Sequence, residues 1–546
     1  MVRRSVFLPW EISRLPPTGG SHRGTKDEMA KRREKSDGRV VPEGGRKPVP
    51  TVAGARGGKA ATASEEGIQL RLSFETAETP QGAGATAKAD QAARGEAPVP
   101  KSKRTSREGP PAMTMEEVAD EENLRCAFEE VARNRGAAGP DGQAVEEVRE
   151  HLEDLLPEMK RALLEGRYRP GMIRRVWIPK PGGGERGLGI PNVVDRVVQQ
   201  AVHRVLSPNY EPTFHEGSHG FRPGRSCHTA ITAATGYLYR GFLWVVDLDL
   251  ERFFDRVHHE RLLARLGQRV KDLRLLTVVR RMLKAKVVMP DGVVVATEEG
   301  TPQGGPLSPL LSNIVLDELD RELARRGHRF VRYADDCNIY VRSERAGNRV
   351  MAAVVRFIEG RLRLKVNAAK SAVARPWQRH FVGFTLMRKK HVVVRLSERS
   401  RDRVDARIRE LTPRNWGGQL EGCIKRLNRY LRGWIGFFGV SCTKDIIRNL
   451  QVLDGHIRRR LRALLLRQWR RKRSIARRLI RLGASKRAAW GTVYNGHRSL
   501  WALSHTPVVE QALRVEYFRE RGLVSLEDLF RDIKRKVTVP PQPRSG

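Results

Sequence analysis

Two short acidic segments of this chain each follow a hydrophobic run, as they would if each closed a buried β-strand. Residues 247–255 read DLDLERFFD and come after the apolar run 243–246, whereas residues 333–336 read YADD. Carboxylates crowded at the rim of an apolar sheet need counter-charge, which divalent cations with oxygen ligands supply. Two Mg²⁺ ions held ~4 Å apart by such acids can activate a hydroxyl and stabilise a leaving pyrophosphate. The two segments therefore predict a two-metal site for phosphoryl transfer; the alternative is a pair of turns with solvated acids.

The charge balance of the chain indicates a polyanionic partner. Lys and Arg number 103 against 62 Asp and Glu, which gives the 546 residues a formal net charge of +41. Such an excess repels itself in a compact fold unless a polyanion shares the surface, so nucleic acid is the first partner to consider. Hydrophobic residues make up 39% of the chain, enough to build cores and to exclude a wholly disordered protein.

Cysteine usage and hydropathy exclude other classes of protein. The five cysteines are scattered and form no C-x-x-C pair, which argues against a disulfide framework and against a zinc module. No apolar run approaches the ~20 residues that a bilayer-spanning helix needs. We therefore expect a soluble intracellular protein in a reducing compartment, with no membrane partner.

Patterns typical of helices and strands begin only after about residue 112. Residues 1–112 are rich in Gly, Ala, Pro and charge, and they cannot bury enough apolar surface to offset their ordering entropy, so we expect a disordered basic tail. Apolar spacing and turn residues then predict the elements that must position the acids. The predicted helices are 116–133, 144–166, 258–284, 347–362 and one that begins at Ser308. The predicted strands are 173–178, 187–190, 243–246, a hairpin over 286–298 and a pair around 333–336.

A long basic stretch lies downstream, where the pattern is mostly helical. Residues 456–509 contain 15 Lys or Arg and no Asp or Glu, with Trp and Tyr interleaved. Cations neutralise phosphates, and aromatic rings stack on bases. We expect a helix over 457–473 whose Leu stripe packs in a core and whose cationic face contacts RNA; the alternative is a solvated face. The densest cationic cluster is Arg470, Arg471, Lys472 and Arg473.

Five blocks, in order along the chain, resemble those of one enzyme family. YADD at 333–336 resembles the polymerase signature of reverse transcriptases. Residues 180–191, EGSHGFRPGRS at 216–226 and TPQGGPLSPL at 301–310 resemble blocks of bacterial group II intron reverse transcriptases. LNRYLRGW at 427–434 resembles the maturase-specific domain, called X, that follows the polymerase in these intron-encoded proteins.

This resemblance implies an α+β fold of the right-hand polymerase type, with fingers, a palm built on an antiparallel sheet with helices, and an α-helical thumb. No Cys follows Cys442, so the chain resembles the class C subgroup, which lacks a C-terminal nuclease module. The expected domains are a disordered basic tail over 1–112, reverse transcriptase fingers and palm over 113–386, thumb and maturase domain X over 387–482, and a basic DNA-binding segment over 483–546.

The function implied by the resemblance is that of an RNA-directed DNA polymerase encoded by a group II intron. Such a protein is also a maturase, which binds the intron RNA, assists its splicing and copies it into DNA during target-primed retrohoming. The implied cofactor is Mg²⁺, and the implied partners are group II intron RNA, target DNA, primer and dNTPs. We expect a cytoplasmic, nucleoid-associated ribonucleoprotein, and the sequence leaves open whether the protein is a monomer or a dimer.

The same resemblance assigns roles to individual residues. Asp249, Asp335 and Asp336 match the catalytic, metal-binding carboxylates, with the main chain of Leu250 as a further metal ligand. Asp247, in the preceding strand, is expected to be structural. Residues expected to bind the nucleotide are Lys180, Arg186, the steric gate Phe254, Gln303 and Lys370. Residues expected to contact nucleic acid are Arg222 and Arg225, and residues 381–384 resemble the primer grip.

Two other functions stay open at this point. One is an RNA-binding splicing factor whose polymerase is dispensable, although the three acids and Gln303 are intact. The other is a reverse transcriptase of a retron, diversity-generating or CRISPR-associated lineage, against which the block at 427–434 and the basic stretch count.

Overall fold

The structure is a computed structural model that describes residues 112–179, 184–301, 303–495 and 499–538. The predicted disordered tail over residues 1–112 lies outside the described residues except for residue 112, and the predicted nucleotide ligand Lys180 also lies outside them. Within those ranges, none of the helices is both long enough and apolar enough to cross a bilayer.

Helices make up most of the regular structure of the described residues. They are α1 (Met115–Ala119), α2 (Glu121–Arg133), α3 (Val145–Glu150), α4 (Leu152–Leu164), α5 (Val193–Tyr210), α6 (Cys227–Tyr239), α7 (His259–Gly267), α8 (Leu273–Leu283), α9 (Ser308–Arg325), α10 (Glu344–Phe357), α11 (Glu398–Leu411), α12 (Leu420–Ser441), α13 (Ile447–Gln468), α14 (Lys472–Arg481), α15 (Lys486–Tyr494), α16 (Leu500–Leu503), α17 (Pro507–Ala512), α18 (Val515–Arg519) and α19 (Leu526–Thr538). The strands are β1 (Ile173–Pro179), β2 (Glu185–Ile190), β3 (Trp244–Leu248), β4 (Val287–Val288), β5 (Val294–Val295), β6 (Arg329–Tyr333), β7 (Asp336–Val341), β8 (Ala372–Ala374), β9 (Phe384–Arg388) and β10 (Val392–Leu396).

The palm sheet has the strand order β6-β7-β3-β8, and every pair in it is antiparallel. The first acidic segment follows β3, and the second forms the turn between β6 and β7. Because β3 and β7 run in opposite directions, the end of β3 and the start of β7 lie at the same edge of the sheet. The predicted α+β fold with an antiparallel palm is confirmed, and the two acidic segments meet at one edge.

The side chains of the palm sheet alternate between two hydrophobic cores. Val246 and Ile339 face a core shared with the helices before residue 370, whereas Val245 and Tyr340 face a core shared with β9, β10 and the helices after residue 397. This alternation is the period of two expected of a strand. Since both faces are buried, a slip of one residue would exchange the two sets of side chains, so the register of the acids is strongly specified.

A second four-stranded sheet has the order β2-β1-β4-β5. β1 and β2 form an antiparallel hairpin in which Arg174 pairs with Ile190 and Pro179 pairs with Glu185. β4 and β5 form the predicted second hairpin, closed by a turn in which Gly292 donates to the carbonyl of Met289 at 2.9 Å. Both predicted hairpins are therefore confirmed.

Three predicted helices are each divided into two in the structure: 116–133, 144–166 and 258–284. At two of the breaks an aspartate caps the helix that follows. The carboxylate of Asp120 accepts from the amide of Asn123 at 3.1 Å, and that of Asp272 accepts from the amide of Arg274 at 2.8 Å. Such a cap satisfies amides that the first helical turn leaves without partners. The apolar spacing continues across each break, so periodicity alone predicts one long helix.

The helices after residue 500 pack into the same core as the helices of the predicted thumb. Leu513, Phe518 and Phe530 are buried in that core. A Cβ at Gly439 in α12 would lie 3.0 Å from Cδ1 of Ile533, so α19 lies closely against α12. The described part of the predicted DNA-binding segment thus packs against the thumb, and its binding to DNA stays a prediction.

Candidate active site

The second acidic segment is a tight turn between β6 and β7. Tyr333 pairs with Asp336 across the turn, and Ala334 has a left-handed backbone with φ of +57°. Asp336 is buried as the first residue of β7, whereas Asp335 is partly exposed at the tip. The turn therefore presents one carboxylate at the open edge of the sheet and keeps its neighbour inside.

The first acidic segment reaches the same edge through β3. Leu248 pairs with Cys337, so Asp249, the next residue of the chain, lies beside Asp336 at the start of β7. Asp249 is 8% exposed, and at that depth an uncompensated charge would be costly. The strand register thus places the three residues that the sequence predicts to be catalytic at one edge of the sheet.

The main chain after β3 is oriented by its contacts with residues 365–371. The carbonyl of Asp249 accepts from the amide of Asn367 at 2.9 Å, and the amide of Asp249 donates to Oγ of Ser371 at 3.0 Å. Successive peptide groups of an extended strand point in opposite directions. The carbonyl of Leu250 therefore points to the other side, toward β7 and the acidic turn.

Lys370 supplies positive charge to this edge. Its Nζ lies 3.6 Å from Oδ2 of Asp249, and its side chain is 21% exposed. The predicted position of Lys370 near a reacting phosphate is compatible with this placement, because the ammonium group reaches both the buried carboxylate and the open edge.

The donor set at the edge fits a hard divalent cation. Within the described ranges no three His, Cys, Asp or Glu side chains are arranged as a ready-made metal cluster. The oxygen groups that the strand register places at this edge are instead carboxylates of Asp249 and Asp335 and the main-chain carbonyl of Leu250. Carboxylate and carbonyl oxygens are the ligands that Mg²⁺ prefers, and Mg²⁺ commonly takes only one or two protein carboxylates and completes its shell with water and substrate phosphates.

Two other acids of the first segment are neutralised by basic side chains. Asp247 forms an ion pair with Arg379, whose side chain is 9% exposed. Glu251 contacts Lys365 at 3.3 Å and Arg256 at 3.0 Å. Asp249 also has a basic neighbour in Lys370, so ion pairing alone does not separate the three acids, and the structural role of Asp247 stays a prediction.

Two residues that were predicted separately to bind the nucleotide lie in direct contact. Nε of Arg186, in β2, donates to Oε1 of Gln303 at 2.8 Å, although the two residues are 117 positions apart. The carbonyl of Gln303 accepts from the amide of Gly189 at 2.7 Å. Gly304 has φ of +127°, and a Cβ there would lie 2.5 Å from the carbonyl oxygen of Gly189. The approach of this loop to β2 therefore requires glycine.

The predicted steric gate is bound to the same loop. Phe254 is buried, and its ring lies 5.3 Å from that of Phe253. The carbonyl of Phe254 accepts from the amide of Thr301 at 2.6 Å. Phe254 is thus hydrogen-bonded to the segment that carries Gln303. The candidate steric gate and the candidate nucleotide ligands are therefore held by the same loop.

The prediction that Arg222 contacts nucleic acid is wrong, because its guanidinium lies inside the protein. Arg222 is 5% exposed; Nε donates to Oε1 of Glu211 at 2.7 Å, and Nη1 donates to the carbonyls of His215 and Ser218. Arg225 is partly exposed and donates to a nearby carbonyl, so a nucleic-acid contact for Arg225 stays a prediction.

The predicted primer grip, residues 381–384, is also largely inside the protein. Phe381, Val382 and Phe384 are buried between the palm sheet and the helices that follow it. The ring centroids of Phe384 and Phe438 are 5.2 Å apart. These side chains join the palm to α12, and only the main chain of the segment is left for a primer to contact.

The cationic cluster 470–473 lies at a corner, and the predicted continuous helix over 457–473 is wrong. α13 ends at Gln468, α14 begins at Lys472, and Arg470 has φ of +57°, which a helix cannot contain. We call residues 470–473 the basic corner. All four side chains are exposed, and within the described ranges none of them forms an ion pair with an acid. Nζ of Lys472 lies 5.6 Å from the ring centroid of Tyr494.

One buried group at the palm edge was missed by the sequence patterns. Arg332, in β6, is fully buried and hydrogen-bonds to Asp320 and Asn313 of α9. A signal did exist: Asn313, Asp317 and Asp320 are spaced four and three residues apart, so these polar residues lie on one face of α9. Buried polar groups require partners, so this face predicts a buried polar partner on a neighbouring element.

An antiparallel palm with carboxylates at one edge and a helical domain behind it defines a template-directed polymerase. Residues 178–386 match the model of the reverse transcriptase (RNA-dependent DNA polymerase) family. Residues 401–482 match the model of the group II intron, maturase-specific domain. The chain belongs to the family of group II intron-encoded reverse transcriptases, which confirms the resemblance drawn from the sequence blocks.

Several known proteins share parts of this sequence. Protein YkfC of Escherichia coli (strain K12) is 34% identical over 292 residues, which cover 46% of this chain and 76% of that protein. The group II intron-encoded protein LtrA of Lactococcus lactis subsp. cremoris is 36% identical over 196 residues, 36% of this chain and 32% of LtrA. The putative COX1/OXI3 intron 2 protein of Saccharomyces cerevisiae is 37% identical over 154 residues, 28% of this chain and 18% of that protein. The chain thus spans three quarters of the first relative and a third or less of the other two.

Proposed function

We propose that this protein is an RNA-directed DNA polymerase and an intron maturase: it binds a group II intron RNA, assists its splicing and copies it into DNA from a primer in the target. The single observation that carries the polymerase is the convergence of Asp249, Asp335 and Asp336 at one edge of the palm sheet, in a chain with a net charge of +41. Such an acidic site on a cationic protein suits a reaction between phosphates that metal ions must bridge.

The proposed cofactor is Mg²⁺, held as two ions by Asp249, Asp335 and the carbonyl of Leu250, with Asp336 in support. The metal would supply charge for the primer 3′-hydroxyl and for the leaving pyrophosphate. The protein residues have separate roles. Arg186 and Gln303 orient the incoming dNTP, Lys370 neutralises a phosphate near Asp249, and Phe254 excludes a ribose 2′-hydroxyl by its bulk.

The basic corner and the rest of 456–509 support the RNA-binding half of the proposal. That stretch holds fifteen cations and no acid of its own. Arg462 among them is buried and pairs with Glu510, whereas the exposed cations give a surface that neutralises phosphates and carries little sequence information. The match of residues 401–482 to the maturase-specific model favours intron RNA over the template of a retron or CRISPR-associated enzyme. The other proposed partners are the target DNA, the primer and dNTPs, in a cytoplasmic ribonucleoprotein associated with the nucleoid.

The proposal is tested with the full chain, a structured intron RNA and an annealed DNA primer. The wild type should extend the primer on RNA in Mg²⁺ and should speed splicing of the intron RNA. Asp249→Asn should lose extension by several orders of magnitude, because a neutral amide cannot hold the cation in the same way, while splicing assistance persists. Asp402→Asn, an exposed acid on α11, is the matched control and should behave as the wild type.

Two results would contradict the proposal. Failure of the wild type to extend any RNA-templated primer would contradict the proposed polymerase activity. Splicing that is unaffected by the protein would contradict the proposed maturase activity and leave only the polymerase activity.

A further inference from the structure

Arg332 has an acceptor for each of its five guanidinium N–H groups. Nε and one proton of Nη2 donate to the two carboxylate oxygens of Asp320, at 2.8 and 2.5 Å. The other proton of Nη2 reaches Oγ of Ser218 at 2.8 Å. Nη1 donates to Oδ1 of Asn313 at 3.0 Å and to the carbonyl of Ala334 at 2.9 Å. The last of these bonds connects the network to the turn that carries Asp335.

Asn313 extends the network to a second contact with the same turn. Its Nδ2 donates to the carbonyl of Gly220 at 2.9 Å. A Cβ at Gly220 would lie 2.2 Å from the amide nitrogen of Ala334 and 3.0 Å from its Cα. The main chain at Gly220 therefore packs directly on the main chain of the turn, and Ala334 is held at its carbonyl by Arg332 and at its amide by Gly220.

The turn needs such support because its backbone is not relaxed. Ala334 has φ of +57°, a left-handed conformation that is uncommon and unfavourable for a residue with a Cβ. Residues of this kind persist where the surrounding structure over-determines them. Arg332 and Gly220 both contact Ala334, which is the strained residue. Ala334 directly precedes Asp335 in the chain.

Arg332 cannot serve the reaction by contact. Its side chain is 1% exposed, and that of Asp320 is 0% exposed, so neither reaches RNA or nucleotide. Although burial disfavours a charged guanidinium, the carboxylate of Asp320 raises the pKa of Arg332, so the guanidinium stays charged. Buried ion pairs are weak evidence for stability, since hydrophobic replacements are often as stable. A requirement for geometry explains the network better than a requirement for stability.

We propose that Arg332 is a positioning residue for polymerisation, which fixes the strained turn at Ala334 so that Asp335 is held at the sheet edge beside Asp249, where the two carboxylates would hold a metal ion. The inference rests on the proposed function, in which Asp335 binds the catalytic cation. Asp320 holds the guanidinium, and Asn313 and Gly220 transmit the same constraint to the other face of the turn.

Two variants test the proposal in the full-length protein. Arg332→Lys keeps a cation beside Asp320 but removes the planar fork that reaches Ala334. Gly220→Ala keeps every polar group and pushes a methyl against the turn. Both should lower kcat for primer extension by about 10- to 100-fold, since small misplacements of reacting groups cost that much. The KM for dNTP and the affinity for RNA should stay within about twofold of wild type.

A metal-binding readout separates positioning from general loss of structure. Mn²⁺ titration followed by electron paramagnetic resonance should show about tenfold weaker binding in both variants, at a temperature well below the melting temperature of each. Gly236→Ala is the matched control, because a Cβ at that position in α6 meets no atom within 4 Å. It should leave kcat and Mn²⁺ affinity at the wild-type values.

The outcomes distinguish this inference from the proposed function. Suppose that the wild type extends primers and that Asp335→Asn loses both extension and Mn²⁺ binding. If Arg332→Lys and Gly220→Ala then keep the wild-type Mn²⁺ affinity and kcat, the positioning role is wrong and the proposed polymerase activity is unaffected. If Arg332→Lys does not fold, the kcat and Mn²⁺ affinity of Gly220→Ala alone test the positioning role. If RNA affinity and dNTP binding fall together with kcat in these variants, Arg332 has only a structural role, and the positioning proposal is wrong. If wild type neither extends primers nor loses Mn²⁺ when Asp335 is replaced, the proposed function itself fails.

Discussion

The palm edge and the basic corner are two charged regions of the part of the chain that the structure describes, and they are built in opposite ways. At the palm edge, carboxylates stand on strands whose register is fixed by two cores, and a buried arginine holds the turn. At the basic corner, four exposed cations lie between two helices, and within the described ranges none of the four is paired with an acid.

The difference follows from the chemistry that each region is proposed to perform. A metal-assisted displacement requires oxygen ligands held in one geometry, so the main chain that carries them must be fixed by hydrogen bonds and packing. Neutralising the phosphates of a long RNA requires charge density and tolerance of many backbone positions, which exposed flexible side chains provide. The palm edge should therefore control rate, and the basic corner should control affinity.

The largest effect outside the palm edge is expected at the basic corner. Replacing Arg470, Arg471, Lys472 and Arg473 with Ala should remove two or three phosphate contacts, each worth ~0.7 to 0.9 in the slope of log affinity against log salt. The slope should become shallower by about 2, and affinity near 50 mM salt should fall roughly 100-fold. Filter binding over a salt series measures both.

Two exposed lysines on the turn between β9 and β10 provide a control for the loss of positive charge. Lys389 and Lys390 are exposed there, and their joint replacement by Ala should leave the slope nearly unchanged. A basic-corner variant that kept the wild-type slope would mean that the four side chains are simply solvated.

The second effect concerns the contact between Arg186 and Gln303. Arg186→Ala should raise the KM for dNTP by about 10- to 100-fold, since a charge-assisted hydrogen bond is worth ~1.5 to 3 kcal/mol. Because the two side chains are bonded at 2.8 Å, the effects of Arg186→Ala and Gln303→Ala should not add in a double-mutant cycle. Additive effects in steady-state kinetics would show that the two residues act on the nucleotide independently.

A third, smaller effect is expected from the steric gate. Phe254→Val keeps an apolar side chain in a buried position and removes the bulk that would meet a 2′-hydroxyl. Incorporation of rNTP relative to dNTP should rise by about tenfold, the scale of discrimination that shape alone supplies. Single-nucleotide competition on one RNA template measures the ratio, and an unchanged ratio refutes the gate.

The smallest effect is on the pH dependence of stability, through His219. Burial, reinforced by Arg225, Arg222 and Arg332, lowers the pKa of His219 to about 4. The unfolded chain therefore binds a proton at His219 near pH 6.5, whereas the folded protein binds it only near pH 4. The contribution of His219 to the free energy of unfolding is therefore fully present above pH 6.5 and is lost as the pH falls toward 4. His219→Gln should reduce the loss of melting temperature between pH 7 and pH 5 by about 2 °C. Calorimetry that shows the same loss in the variant would contradict this assignment.

Much of the palm edge could be predicted from the sequence because its signals are local. An apolar run that ends in acids marks the end of β3, and YADD marks the turn between β6 and β7. Their proximity follows from pairing antiparallel strands. The contact between Arg186 and Gln303 could not be predicted, because it depends on how strand β2 and a loop 117 residues away meet in space.

The errors have a common physical origin. Apolar periodicity reports which face of a segment is buried, but it continues unchanged across the cap at Asp272 and through the break at Arg470. It also treats arginine as a surface residue, so it does not reveal the burial of Arg222 or Arg332, and for Arg332 only the polar face of α9 indicated a buried partner. Arginine becomes an interior residue when its donors all find acceptors, and those acceptors lie on elements distant in sequence.

The central claim is that the acids of the palm edge perform the chemistry while the basic corner holds the RNA. It is tested most directly by measuring intron RNA affinity and primer extension for Asp335→Asn and for the Ala variant of the basic corner in parallel. Asp335→Asn should bind RNA as the wild type does and lose extension by several orders of magnitude. The basic-corner variant should bind RNA roughly 100-fold more weakly near 50 mM salt and extend a saturating, pre-bound primer at nearly the wild-type rate. Loss of RNA affinity in Asp335→Asn, or retained extension by it, would contradict the account.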